Sequence, residues 1–177
     1  PGSFLPSAER YGIMEKVDTW VVENIIILLS KYPDFINKID FIAINLSGQS
    51  VSNTVFLNWI TSKIEERKID PKKICFEVTE TAAISNLGEA SEFITTLKKS
   101  GCRFALDDFG SGLSSFRYLK SLPVDFLKID GMFVKDIVDD PIDYAMVKSI
   151  NDIGHVMGMK TIAEFVENAE IRDMLRV

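Results

Sequence analysis

Apolar residues recur along this chain in two rhythms. Residues 16–32 carry Val17, Trp20, Val21, Asn24 and Leu28 at helical spacing, which predicts a helix with one buried stripe. The same rhythm predicts a helix over Ser52 to Arg67, with Val55, Trp59, Ile60 and Ile64 on one face, and another over 88–100 that stops at Gly101. Asp140-Pro141 supplies an N-cap followed by proline at the first helical position, and that helix should run to about Met157 and end at Gly158. A short helix near 115–121 halts before Pro123, and the chain closes in a helix from about Ala169. Between these stretches lie five short apolar segments, FIAINLS, ICFEVTE, RFALDDFG, FLKID and TIAEFVE, which read as buried strands. The loop DFGSGLSS is too rich in glycine and serine for regular structure.

Helix and strand therefore alternate, with no Asn-Gly hairpin signal between strands. Strand ends fall at positions 45, 77, 107, 128 and 164, the repeat of right-handed βα units. An eight-stranded barrel needs about 250 residues. Five strands in 177 residues fit either an open doubly wound sheet or a TIM-like barrel incomplete at both ends. A glycine-rich dinucleotide fingerprint after the first strand would favour the open sheet, and the sequence has none. Spacing alone leaves both open.

Every one of the five strands closes on polar or charged residues. Side chains alternate along a strand, so Asn45 pairs in direction with Ser47, Glu77 with Thr79, and Lys128 with Asp130. In a barrel, Asn45, Glu77, Asp107 and Glu164 would converge at one mouth as oxygen donors. Four such donors with no His or Cys at hand suit Mg²⁺ or Mn²⁺ and argue against zinc. Asp108 follows Asp107 directly, so both face one centre only if the chain turns there, as Phe-Gly-Ser-Gly permits. A second carboxylate aimed sideways suits a second ion, as two-metal phosphoryl chemistry requires.

Each position also has a plainer reading. Asn45 can be a cap or turn residue, Asp107-Asp108 a turn, Lys128 the structural ion-pair partner of Asp130 or of a rim carboxylate, and Glu167 an acid favoured at a helix N-terminus. Glu77 resists such treatment, because an unpaired carboxylate in so apolar a strand costs several kcal/mol. Five polar positions in phase at one end of successive strands make coincidence a poor account. His155, in IGHVMG, reads as a packed or surface helix residue, and Lys63 to Lys68 as a solvated helix end.

Composition narrows the classes. A hydrophobic content of 46% supports a sizeable core in one domain over 1–177, and a net charge of −6 argues against a nucleic-acid polymer as partner. Cys75 and Cys102 lack metal-type spacing and read as free thiols in a reducing cytoplasm. The longest apolar run, around Val21 to Leu29, is broken by Glu23 and Asn24 and is too short to cross a bilayer.

The motifs PGSFLPSAERYGIMEKVDTWVV, NLSGQSV, FEVTET, LDDFGSGLSSFRYLKSLPVDFLKIDGMFV and TIAEFVEN, in that order, resemble the EAL domain family of bacterial cyclic di-GMP phosphodiesterases. The resemblance implies a TIM-like barrel that hydrolyses cyclic di-GMP to linear pGpG with two Mg²⁺ or Mn²⁺ ions. It implies Asn45, Glu77, Asp107 and Glu164 as metal ligands, Asp108 chiefly for the second ion, and Lys128 beside the scissile phosphate and its nucleophile. Glu80 matches the glutamate anchoring the loop after the third strand, here Phe109, Gly110, Ser111, Gly112, Leu113, Ser114 and Ser115. Glu167 matches a residue in water-mediated contact with metal. The resemblance further implies a homodimer formed near that loop, and a cytoplasmic domain fused in its parent to GGDEF or sensory modules.

Departures from the family pattern are specific. The Glu-Ala-Leu stretch, with a further metal-ligand glutamate, would lie upstream of Pro1, and a Gln-Gly segment would lie beyond Val177. The 177-residue chain by itself is therefore expected to hydrolyse little. Phe165 stands where Gly is usual, and is expected to point away from the mouth if Glu164 points in; Ser111 and Leu113 stand where Thr and Tyr are common. A receptor that binds cyclic di-GMP without cleaving it is the alternative, although such relatives usually lose several of these acids. A metal-dependent lyase or enolising barrel would also gather acids at strand ends, but leaves the DDFG loop unexplained.

Overall fold

A computed structural model describes residues 4–110 and 116–176. Three helices come first, α1 (Leu5–Arg10), α2 (Met14–Lys31) and α3 (Pro33–Ile36), followed by β1 (Ile42–Leu46), α4 (Gly48–Val51) and α5 (Thr54–Glu66). A 3-10 turn (Pro71–Lys73) leads into β2 (Ile74–Thr79), α6 (Glu80–Ser85) and α7 (Leu87–Lys99), then β3 (Arg103–Phe109) and α8 (Phe116–Leu119). The remainder is β4 (Phe126–Ile129), α9 (Gly131–Val134), α10 (Pro141–Val156), β5 (Lys160–Ala163) and α11 (Ala169–Met174).

The five strands are all parallel and lie in chain order, β1-β2-β3-β4-β5. A doubly wound sheet reverses its strand order partway and carries helices on both faces. Here the order never reverses, and the two faces differ. Ile44, Leu46, Phe76, Val78, Phe104, Leu106, Leu127 and Ile129 pack with the helices in one large core. On the other face Cys75, Ala105 and Phe126 form a small separate cluster with Phe41. That is an arc of a (β/α) barrel, with helices outside and a narrow lumen floor inside.

The outer core is aromatic at its centre. Phe104 is fully buried, with its ring 5.5 Å from Phe76 and edge-on to Phe93 at 6.3 Å. Truncating Phe104 to alanine should cost about 3–5 kcal/mol, a large part of the ~5–15 kcal/mol that holds a domain together. Urea unfolding followed by circular dichroism measures it; a loss below ~1 kcal/mol would show that the site collapses around the missing ring.

The helix α2 buries a different face from the one its spacing suggested, and α5 departs from the expected face at one residue. In α2 the buried residues are Met14, Asp18, Val22, Ile26 and Leu29, while Trp20 is 65% exposed. A carboxylate occupies the middle of the buried stripe, so counting apolar residues alone finds the wrong phase. In α5 the core side is Phe56, Leu57, Ile60 and Ile64, while Val55 is 75% exposed. Val55 and Ile60 are five residues apart, about 140° around the helix, and cannot share a stripe. Asn53 caps that helix, accepting from the amides of Val55 and Phe56. Asp140 does the same for α10, accepting from Ile142 with proline at the first helical position. Among the described residues no helix is long and apolar enough to cross a membrane.

Candidate metal and phosphodiester site

The acids read from the strand ends meet at the C-terminal end of the sheet, on the lumen side. In the β1–β2 ladder Asn45 stands opposite Glu77, and in β2–β3 Thr79 stands opposite Asp107. Lys128 of β4 projects among them: its Nζ lies 3.1 Å from Glu77 Oε2, 2.8 Å from Asp107 Oδ1 and 2.9 Å from Glu164 Oε1. Carboxylates from β2, from β3 and from the end of β5 thus share one ammonium. Lys128 does not pair with Asp130, which instead caps α9 by accepting from the Met132 amide.

Asp107 and Asp108 reach one centre through a break in the strand. The β3–β4 register shifts between Leu106 and Phe109, and Asp108 takes a left-handed backbone with φ of 53°. Its amide donates to Asp107 Oδ1 at 3.0 Å. Each of Asp107, Asp108 and Glu164 then offers an oxygen within 4.8 Å of the other two. The backbone thus changes direction at the Asp-Asp pair, where facing one centre requires it.

Electrostatics of the cluster are lopsided. Burial works to lower the Lys128 pKa, but its hydrogen bonds to Asp107, Glu164 and Glu77 outweigh that and hold it above the ordinary lysine range. The Asp108 pKa is raised by burial first and then by the charges of Asp107, Asp130 and Glu164, which the opposing charge of Lys128 does not offset. Four carboxylates facing one ammonium leave an excess of negative charge that a divalent cation would neutralise. Burial first and the charge of Glu77 second push the Cys75 thiol up to about 12, which keeps it protonated and unreactive near neutral pH. Both cysteines are free and buried. The donor set is all oxygen and fits a hard cation.

Glu80 is fully buried and holds the chain just past β3. It accepts from the Gly110 amide at 3.0 Å and from the Tyr118 hydroxyl. Gly110 has φ of 102°, and a side chain there would meet the Phe133 ring at 2.8 Å, so glycine is required. Phe109 is buried in the outer core. Ser111, Gly112, Leu113, Ser114 and Ser115 lie outside the described residues. Nothing in the sequence singles out Tyr118; its place three residues past a Gly-Ser loop gives no sign that it reaches a buried glutamate.

Asn45 and Glu167 stand apart from the bonded network. Asn45 is exposed at the end of β1, and neither it nor the exposed Glu167 makes a side-chain hydrogen bond or ion pair among the described residues. Phe165 follows Glu164 in a left-handed conformation, φ 52°, and is 54% exposed. Its ring fills the space over Gly131, and the Lys135 ammonium sits 4.2 Å from the ring centroid.

The family model described as EAL domain matches residues 1–177. The cyclic di-GMP phosphodiesterase PdeB of Shewanella oneidensis is 44% identical over 176 residues, which is 99% of this chain and 20% of that protein. Among solved structures, the PaMucR phosphodiesterase in complex with c-di-GMP superposes with a TM-score of 0.91 at 30% identity, covering 99% of this chain and 71% of that one. The FimX EAL domain from Pseudomonas aeruginosa bound to c-di-GMP superposes with a TM-score of 0.89 at 30% identity, covering 99% and 69%. The chain spans about a fifth to a quarter of the length of the curated relatives it matches.

Proposed function

The chain belongs to the EAL domain family, and from that membership we propose that its parent protein is a metal-dependent phosphodiesterase that hydrolyses cyclic di-GMP to linear pGpG. One observation carries the reading: carboxylates from three separate strands stand within 2.8–3.1 Å of a single Lys128 ammonium, at the end of the sheet where barrels keep their chemistry.

In this reading Asn45, Glu77, Asp107 and Glu164 hold one divalent ion, Asp108 chiefly holds a second, and Glu167 acts through water. Mg²⁺ or Mn²⁺ fits the all-oxygen donor set. When bound, such ions neutralise phosphate charge and make a coordinated water acidic enough to attack. The residues do the rest. The carboxylates fix where charge is neutralised, because β2 and β3 are held in one ladder with Cys75, Ala105 and Phe126 packed beneath. Lys128 brings a permanent positive charge to the same rim, where the phosphodiester becomes more negative on the way to in-line displacement of the ribose 3′ oxygen. Glu80, through Gly110 and Tyr118, keeps the start of the following loop against the strand end that bears Asp107 and Asp108. We place dimer contacts at this loop, and a cytoplasmic parent fits its nucleotide substrate.

The test is turnover of cyclic di-GMP by the purified full-length protein with Mg²⁺ or Mn²⁺, with products separated by anion exchange. Linear pGpG that disappears with EDTA and returns with added metal is the expected result. Tight binding of cyclic di-GMP with no product under any divalent metal would overturn it in favour of a receptor.

A further inference from the structure

Five polar or charged side chains are buried among the described residues. Glu77 and Asp107 belong to the acid rim and Glu80 to the loop after β3; the other two, Asp18 and Ser50, are bonded to each other. Asp18 lies mid-way along the buried stripe of α2 and is only 4% exposed. No basic group pairs with it among the described residues. Its Oδ2 instead accepts three hydrogen bonds, from the Ser47 amide at 2.9 Å, the Ser47 hydroxyl at 2.6 Å and the Ser50 hydroxyl at 2.6 Å. A leucine at this position would satisfy packing and avoid the penalty of burying a charge. What the carboxylate adds is direction: it ties one helix to one particular turn of chain.

That turn is the exit from β1. Ser47 is the N-cap of α4 and lies two residues after Asn45. Since the Asn45 amide has no side-chain partner among the described residues, its aim comes from its backbone alone. On one side the backbone is held by the ladder to Glu77, and beyond Leu46 it is held by Asp18. The same clamp extends sideways. Gly48 sits so close to α6 that a Cβ on it would lie 3.3 Å from the Ala82 Cβ, and α6 begins at Glu80.

We infer that Asp18 is a positioning residue for the acid rim, holding the end of β1 so that Asn45 presents its amide oxygen to the same cation as Glu77. This rests on the reading that Asn45 is a cation donor.

The test compares Asp18→Asn with Val22→Ala, a truncation at a fully buried position on the same helix, in the full-length protein. Mn²⁺ binding is read by electron paramagnetic resonance of the free ion, without nucleotide. Deuterium uptake is followed in the peptide spanning 44–52. Asp18→Asn should weaken Mn²⁺ binding about tenfold, the low end of what loss of a ligand's supporting partner does, and speed exchange at Ser47. Val22→Ala should lower the melting temperature and leave Mn²⁺ affinity unchanged. In an Asn45→Ala background, Asp18→Asn should add nothing further. If Asp18→Asn does not fold, Ser50→Ala removes one of the three bonds and should weaken Mn²⁺ binding by about twofold to threefold. Wild-type Mn²⁺ affinity in the soluble variant, an equal loss in Val22→Ala, or full additivity with Asn45→Ala overturns the inference. Protein that binds Mn²⁺ with these differences but leaves cyclic di-GMP intact sinks the phosphodiesterase reading alone; protein that binds no Mn²⁺ overturns both.

Discussion

Replacing Asp107 by alanine in the full-length protein should lower turnover of cyclic di-GMP by at least about a thousandfold, with substrate binding far less affected. Asp107 carries three duties at once: it is one of the oxygens grouped with Asp108 and Glu164, it pairs with Lys128, and it accepts from the Asp108 amide. On the proposed reading, its loss removes a cation donor and also the bond from the Asp108 amide. Metal-assisted charge stabilisation amounts to several kcal/mol, and each ~1.4 kcal/mol is a factor of ten in rate. Glu77→Ala should behave alike. Single-turnover kinetics at saturating substrate measure the effect, with circular dichroism to verify folding. Turnover within about tenfold of wild type in either variant would mean that the metals sit elsewhere.

Removing the lysine has an effect that depends on what else is bound. Lys128→Met removes the ammonium that Glu77, Asp107 and Glu164 share, and leaves those acids grouped with Asp108. In metal-free buffer this should destabilise the protein by about 3–5 kcal/mol, the usual result of breaking a buried pair from one side. Added Mg²⁺ should restore much of that loss, since an ion bound only by the folded state stabilises it by mass action. Catalysis should not return with stability, because in the proposed role the lysine's own charge acts at the phosphate and no added ion replaces it. Urea unfolding in EDTA and in millimolar Mg²⁺ separates the two. The same stability deficit with and without metal would show that these acids do not serve as the ion's ligands.

Much of the architecture was legible because strands and helices alternate strongly in this sequence and each strand closes on a polar residue. Spacing could not choose between barrel and open sheet; strand order and the two-sided core did. The phase of α2 was hidden because a buried carboxylate, Asp18, interrupts its apolar stripe, and a sequence gives no sign that two serines some thirty residues on will satisfy it. Short helices such as α4, α6 and α9 were missed for a related reason. Each is four to six residues long and is defined by a cap, from Ser47, Thr79 and Asp130 respectively, with no sustained periodicity to detect. At the rim, Glu77, Asp107 and Glu164 surround the Lys128 ammonium, and Asp108 lies beside Asp107 and Glu164. Asn45 stands opposite Glu77 by register, with no side-chain hydrogen bond or ion pair among the described residues.

The kink within the Asp107-Asp108 pair has a mechanical consequence. Their anchor points are adjacent α-carbons, fixed about 3.8 Å apart by a rigid peptide. Glu77 and Glu164 ride on other strands and can drift relative to β3 whenever the sheet flexes. The separation of the two neighbouring attachment points cannot drift. A cluster built this way carries its own calliper: thermal breathing can loosen the grip of outlying groups while the gauge between the two adjacent stations stays constant.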